Sequence, residues 1–424
     1  MNIKRICKFL GATAFALGIM VCSGMMNDNS VYAEADSSIS TGETTSRDVS
    51  GDEIRRNNYA IYINSSVEKQ GFKLTIKSVT ATKHKLRVIA LIENNNSIQN
   101  VEEFHNNIFQ MTVKNSDCES NGYISKKVND KTKEYTFDIE NFEGFKDDIQ
   151  LRFDALLPEY DLNAWVNASV NISKHFNKTE SKDIQFSFGD YSFFKVEYDI
   201  LGTTVYYNEN DRDEDSYDNR TWDSESKLVL KIDDKLYGLD EGSSYMDHNN
   251  KYVTGEYLTD KINIDDVDKA EKVSIIPIKC NIKNSEKENI FDSRLENEEE
   301  TAESKNVKYS KELIFVDNTK GIVSKVERND DNVKLYISSN SKKDSLLMAL
   351  SLFGYYEFTE GDSKDDDFYG EIGKVIYENP DDKCGYIVEF DNVLKDKRMV
   401  VYSDDMAISH NDKFEIGDEV IIKG

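Results

Sequence analysis

The sequence predicts a mainly β protein, built as tandem antiparallel β-sandwich (immunoglobulin-like) domains followed by a third, β-rich C-terminal domain. Three observations predict it. Apolar and polar residues alternate with a period of two, which turns one face of a strand toward a core and the other toward water. Such runs recur about every ten residues with Asn, Asp and Gly between them, a spacing typical of sandwiches and barrels. No helical pattern separates successive strands, which disfavours a parallel α/β sheet.

The chain opens with a basic segment (Lys4, Arg5, Lys8) and an apolar stretch from Phe9 to Val21. Val31 and Ala33 then stand where a signal peptidase needs small residues. The apolar stretch is shorter than the roughly 20 residues that cross a bilayer. Residues 1–33 therefore read as a signal peptide rather than an anchor, with the mature chain beginning at Glu34. Cys22 does not read as a lipidation site, because Val21 is the wrong size for that cleavage. No later segment is apolar enough to span. The expectation is a secreted chain with no transmembrane anchor when mature, with wall association left open. Abundant Lys, Asn and Ile with three prolines suggest a Gram-positive source.

Residues 34–54 are rich in Ser, Thr, Gly and acids without periodicity, the composition of a flexible tether. A first sandwich is expected over 55–183. In "GFKLTIKSV", Phe72, Leu74 and Ile76 face one way while Lys73, Thr75 and Lys77 face the other. "KLRVIALIE" places Leu86, Val88, Ala90 and Ile92 on one face with Ile89 and Leu91 opposite, as a more central strand would. "KEYTFDIENF", "DIQLRFDALL" and "LNAWVNASVNIS" continue the pattern, with Trp165 expected in the core. A second sandwich is expected over 184–317, through "TTVYY", "SKLVLKIDDKLYGL" and "KVSIIPIKCNI". Within it, residues 284–306 are acidic and lack a β pattern, and read as a loop insertion or a short helix before a returning strand. The third block, 318–424, contains "NVKLYISSN", "GKVIYENP", "GYIVEFDN", "RMVVYSDD" and "DEVIIKG". Its segment 344–358 fits both a helix and a buried strand. Leu346, Leu347, Leu350 and Phe353 favour the helix, with Asp344 as its cap.

The first strands carry a resemblance. Ser66, Val67, Gly71, Leu74 and Ile76, followed by Lys85, Leu86 and Val88, match an "S-V-x-x-x-G-x-x-L-x-I" strand, a variable turn and a "K-L-x-V" strand. This opening resembles the bacterial domain of unknown function 4179, and the second block is similar to the β-sandwich that often follows it. The resemblance covers about residues 58–317 and rests on strand pattern more than on chemistry. It implies an extracytoplasmic module of the kind found in anti-sigma-factor-like proteins, with an interaction or sensing role. Too few residues precede the apolar stretch for a cytoplasmic sigma-binding domain, so that activity does not carry over.

Charge and motifs narrow the function. With 53 Lys+Arg against 80 Asp+Glu the net charge is −27. Such a surface repels phosphate backbones, so nucleic acid is not an expected partner. Metal-protease, P-loop, Cys-x-x-Cys and Gly-x-Ser-x-Gly motifs are all missing. His84, His105, His175, His248 and His410 are dispersed, which disfavours structural zinc. Cys118 with His105 makes a weak nucleophile pair, because an isolated cysteine is more often inert. Cys118, Cys280 and Cys384 read as buried small hydrophobes rather than a disulfide framework. Trp165, Trp222 and the tyrosines suit cross-strand packing better than a carbohydrate platform.

One metal candidate stands out. Asp211, Asp213 and Asp215 alternate as in a calcium loop, with Asp218 nearby. An EF-hand started at Asp211 fails, because Ser216 stands where Gly is needed and Trp222 where the bidentate Glu belongs. A sandwich-type calcium site drawn from these four aspartates competes with a solvated hairpin tip, and the hairpin is the simpler reading. Asp365, Asp366 and Asp367 read the same way. The expected protein is non-enzymatic, needs no cofactor, and binds a protein or cell-wall ligand at the cell surface. A secreted hydrolase of glycans or peptides is the first alternative, and a calcium-stabilised surface module the second.

Overall fold

The computed structural model describes residues 59–94, 107–116, 118–120, 122–129, 131–141, 143–210, 226–247, 252–283, 286, 301–329, 331–357, 372–395, 397–403 and 405–424. Over these residues the chain is mainly β, in several sheets that are antiparallel but for one strand pair. The signal peptide and tether expected over 1–54 lie outside the described residues. No described helix is long and apolar enough to cross a membrane.

The first nine strands form a two-sheet sandwich. They are β1 (Ile61–Lys69), β2 (Phe72–Ala81), β3 (Lys85–Asn94), β4 (Ile108–Val113), β5 (Cys118–Ser120), β6 (Ile124–Asn129), β7 (Thr132–Glu140), β8 (Asp148–Leu157) and β9 (Leu162–Asn171). One sheet runs β1-β2-β3-β7-β6 and the other β5-β4-β8-β9. Gln70 and Gly71 turn β1 into β2 with positive φ at both positions, the backbone of a tight hairpin. β3 is central, as its pattern suggested, and buries Leu86, Val88, Ala90 and Ile92 against Phe137 and Phe153. In β2 the inward set changes parity, from Phe72, Leu74 and Ile76 to Val79 and Ala81. A bulge between Ile76 and Ser78 adds one residue and keeps both halves facing the core. Trp165 is not in that core. It sits on the outer face of β9, with the Arg152 guanidinium 4.8 Å from its ring centre.

The next strands are β10 (Glu180–Phe188), β11 (Tyr191–Tyr198), β12 (Thr203–Asn210), β13 (Lys227–Ile232), β14 (Lys235–Asp247), β15 (Tyr252–Thr259) and β16 (Val273–Cys280). A short helix, Ile264–Lys269, precedes β16, and Asn263 caps it in a reciprocal box with Asp266. β17 (Thr301–Ser304), β18 (Val307–Ser310), β19 (Glu312–Ile314), β20 (Lys320–Asn329) and β21 (Asn332–Ser338) follow. Thr301–Ser304 falls inside the stretch read as a loop. Ala302 and Ser304 are half-buried while Thr301 and Glu303 are exposed, so an alternation of small residues was hidden by the surrounding acids. The remaining strands are β22 (Leu352–Tyr356), β23 (Lys374–Glu378), β24 (Tyr386–Phe390), β25 (Met399–Ser403), β26 (Phe414–Ile416) and β27 (Val420–Lys423). β18 and β25 make the parallel pair.

The ambiguous 344–358 stretch is both things in turn, a helix over Lys342–Ser351 and then β22. Ser341, not Asp344, is the cap, accepting from the Asp344 amide. The helix is buried from Ser345 to Ser351 without a solvent face, so no stripe could separate helix from buried strand.

One 14-stranded sheet crosses the boundary drawn at 317/318. Its main path is β10-β11-β12-β15-β14-β23-β24-β21-β20-β19, with β13, β16, β26 and β27 branching beside β14. The last strand returns to pair with β16, and Ile422 is buried with Val273 and Ile275 in the second hydrophobic cluster. A third cluster gathers around the buried helix, with Leu335, Val388, Phe390 and Met399.

Candidate functional site

Among the described residues, a recess lies where the large sheet divides. β14 pairs with β13 along Lys235–Leu239, with β23 only at Lys235↔Tyr377 and Leu236↔Ile376, and with β15 from Asp240 onward. It therefore leaves β23 after two residue pairs, and the sheet opens as a Y. A cavity of about 770 Å³ occupies the opening.

Each lining segment is placed by its own local structure. The β13–β14 turn contributes Asp233 and Asp234. Asp233 has φ 53, and its Oδ1 accepts from the amides of Glu271 and Lys272 at 3.0 and 2.8 Å. Lys261, Asp266 and Lys269 come from the loop after β15 and the capped helix, which Tyr59 secures by donating to Asp265 at 2.9 Å. Asp331, Tyr356, Asp391 and Asn392 come from the ends of β20, β22 and β24. Tyr377 and Lys374 come from β23. The Lys374 ammonium donates to the carbonyls of Leu350 (2.6 Å) and Leu352, which secures the helix-to-β22 corner.

Burial, reinforced by Glu389, pushes the Asp391 carboxyl above the usual aspartate range even though Asn332 donates to it at 2.9 Å. Burial and the neighbouring Glu389 likewise raise the Tyr377 phenol. The cavity thus presents carboxylates, ammonium groups and phenols on paired strands and a capped helix. This suits polar recognition.

A smaller cavity of about 180 Å³ lies between the first sandwich and the large sheet, lined by His84, Lys85 and Glu140 on one side and Phe194, Tyr206 and Glu256 on the other. Beside it Asp199 is 3% exposed. Burial pushes its carboxyl up to about 6 despite the attraction of Lys85, while its Oδ1 accepts from the amides of Leu201 (2.7 Å) and Gly202 (2.9 Å).

Of the described histidines, cysteines and tryptophan singled out from sequence, only His84 lines either cavity. Asp211, Asp213, Asp215 and Asp218 lie outside the described residues, as do Asp365–Asp367, His105, His248 and Trp222. Among the described residues no group of His, Cys, Asp and Glu could hold a metal. Cys280 is buried, whereas Cys118 and Cys384 are only half-buried, and the Cys118 thiol donates to the Ser116 carbonyl at 3.1 Å. His410 shares a 2.8 Å hydrogen bond with Ser409, away from both cavities. Sequence reasoning missed Asp391 and Tyr377 because Tyr377 sits in an ordinary alternating strand and Asp391 just past the end of one. Their proximity to Asp233 and Lys269 is created by pairings between distant segments.

No protein-family model matches the chain, and no curated protein is similar to it by sequence. Among solved structures it is similar to the crystal structure of the conserved domain protein from Bacillus anthracis, at 14% identity and a TM-score of 0.40. That match covers 52% of this chain and 78% of the other.

Proposed function

We propose that the chain is a secreted, non-enzymatic multidomain β-protein that binds a partner or ligand at the bacterial cell surface, and that it binds through the opening between β14 and β23. The observation that carries this reading is the 770 Å³ cavity, within the roughly 300–1,000 Å³ usual for ligand sites, with both signs of charge and three tyrosines on its lining. The leader-like start of the sequence supports export, and the alternating strand blocks support a binding scaffold. The test is a pull-down with intact Gram-positive cells, purified wall material and secreted proteins. The unaltered chain should capture one of these, and Asp234→Lys with Asp331→Lys, both exposed on the lining, should weaken the capture. A chain that captures none of the three removes this reading.

A secreted hydrolase acting on glycans or peptides is the competing reading, and Asp391 is the observation that favours it. A carboxyl whose pKa is raised by burial and a neighbouring carboxylate is the kind of group such an enzyme uses as its acid. New reducing ends or amino termini appearing in wall material, and their loss in Asp391→Asn, would establish it.

A further inference from the structure

The opening in the sheet has a form that selects among ligands. Along β14 and β23, Lys235, Tyr237, Val375 and Tyr377 line the 770 Å³ cavity. The intervening residues Leu236, Gly238 and Ile376 line a second cavity of about 330 Å³. Successive residues of a strand point to opposite faces, so the two cavities lie on opposite faces of one sheet. Lys261, Gly373 and Lys374 line both, which places them at the gap itself. A gap between two strands with a cavity on each face is the shape that an inserted strand fills. Its side chains would enter the two cavities alternately.

Two glycines border this gap, Gly238 on β14 and Gly373 just before β23. Neither is required by the fold. Neither has a positive φ, and a Cβ would meet only Leu350 at 3.7 Å in the first case and Lys261 at 3.9 Å in the second, both ordinary contacts. A strand glycine often marks a bulge, a bend or the close approach of a ligand or another backbone, and the last of these fits a gap between two strands. The lining also holds five aspartates, Asp233, Asp234, Asp266, Asp331 and Asp391, in a chain of net charge −27. Of its four lysines, Lys374 already serves the Leu350 and Leu352 carbonyls.

From this we infer that the opening receives an extended peptide bearing Lys or Arg side chains, which adds as a strand between β14 and β23. The inference rests on the reading of the opening as the binding site and names the ligand class for it. A peptide strand satisfies backbone groups at the gap through its own N–H and C=O, and its basic side chains meet the aspartates of the larger cavity. A glycan offers no alternation of this kind.

The test pans a display library of random linear peptides against the whole chain. Enriched peptides should be basic and should bind in solution. Gly373→Val should weaken them by about tenfold or more, as should N-methylation of alternate backbone amides in the peptide. Circular dichroism and the melting midpoint of Gly373→Ala, whose Cβ meets nothing closer than Lys261 at 3.9 Å, should match those of the unaltered chain, and those of Gly373→Val are measured beside them. Gly238→Ala provides a second, smaller obstruction should Val disturb the strand. Enriched peptides that tolerate both the glycine substitutions and N-methylation overturn strand addition. A library that yields no binder, while the chain still captures wall material, overturns the peptide class and leaves the binding function standing. Loss of both removes the function reading as well.

Discussion

Lys85 Nζ donates a 2.8 Å hydrogen bond to Thr204 Oγ1, which ties the start of β3 in the first sandwich to the start of β12 in the large sheet. The bond belongs to a junction made largely of charge. Arg87 reaches Asp260 at 3.7 Å across the same seam, and Lys85 also approaches Glu140 at 3.7 Å. On the large-sheet side Glu197, Asp199 and Glu256 are nearly buried. The first sandwich therefore presents cations to a recessed acidic face.

Arg87 links this junction to the first sandwich's own sheet. Its guanidinium donates to both oxygens of Asp138 at 2.7 and 2.9 Å before reaching Asp260. Arg87→Ala should lower stability by about 1–2 kcal/mol, because bidentate geometry is discounted by the exposure of Asp138. Urea unfolding followed by fluorescence measures it, and a midpoint equal to the parent's would show that Arg87's ion pairs contribute nothing.

Asp199 should make stability depend on pH in an unusual direction. Its folded value, raised by burial to about 6, lies above the ordinary 3.8, so the folded state holds the proton more tightly than the unfolded one. The stabilisation from that proton is complete below about pH 4 and is lost as pH rises through about 6. Asp199→Asn keeps an oxygen for the Leu201 and Gly202 amides and carries no charge. Its urea midpoint should therefore change less between about pH 4 and 6 than the parent's. Parallel profiles would place the carboxyl's titration elsewhere.

Ser341 caps the Lys342–Ser351 helix by accepting from the Asp344 amide at 3.0 Å while donating to its carboxylate at 2.5 Å. Ser341→Ala should cost about 1 kcal/mol and Ser341→Gly a few tenths. Thermal melts of the two variants should rank in that order. The reverse order would mean that the helix depends on burial alone.

Phe153 packs at zero exposure between the two sheets of the first sandwich, 5.6 Å from the Phe137 ring centre in an edge-on contact. Phe153→Ala should cost about 3–5 kcal/mol. Hydrogen exchange should then quicken across β3, β7 and β8, whereas uniform loss of protection along the whole chain would show that the first sandwich does not unfold as a unit.

Calcium is tested most simply by melting. The solvated-hairpin reading of Asp211, Asp213, Asp215 and Asp218 expects the same midpoint in millimolar calcium and in chelator. A rise with calcium, abolished in Asp213→Asn, would establish the metal site instead.

The first sandwich was the most legible part of the chain. Alternation in Leu86, Val88, Ala90 and Ile92 marks the buried face of β3 directly, since a period of two is a property of one strand and is recorded in its own side chains. The same signal misled at Trp165. Its alternation was right, yet its ring lies on the outer face beneath Arg152, because a large amphipathic ring packs well beneath a guanidinium. The helix at Lys342–Ser351 was ambiguous because burial on all sides erases the stripe that helical reading needs.

By itself the sequence determined that this is a β protein, where strands such as β2, β3, β8 and β9 fall, and which of their residues face a core. Only the tertiary structure decided that β14 divides its pairing among β13, β15 and β23, and that β27 returns to β16. Strand pairing is made by backbone N–H and C=O groups that nearly every residue carries alike, so the choice of a distant partner leaves little trace in residue type. The candidate site arises from those choices. Asp391, Tyr377 and Lys269 are unremarkable where they stand in the chain. They line one cavity only because two strands that begin side by side move apart.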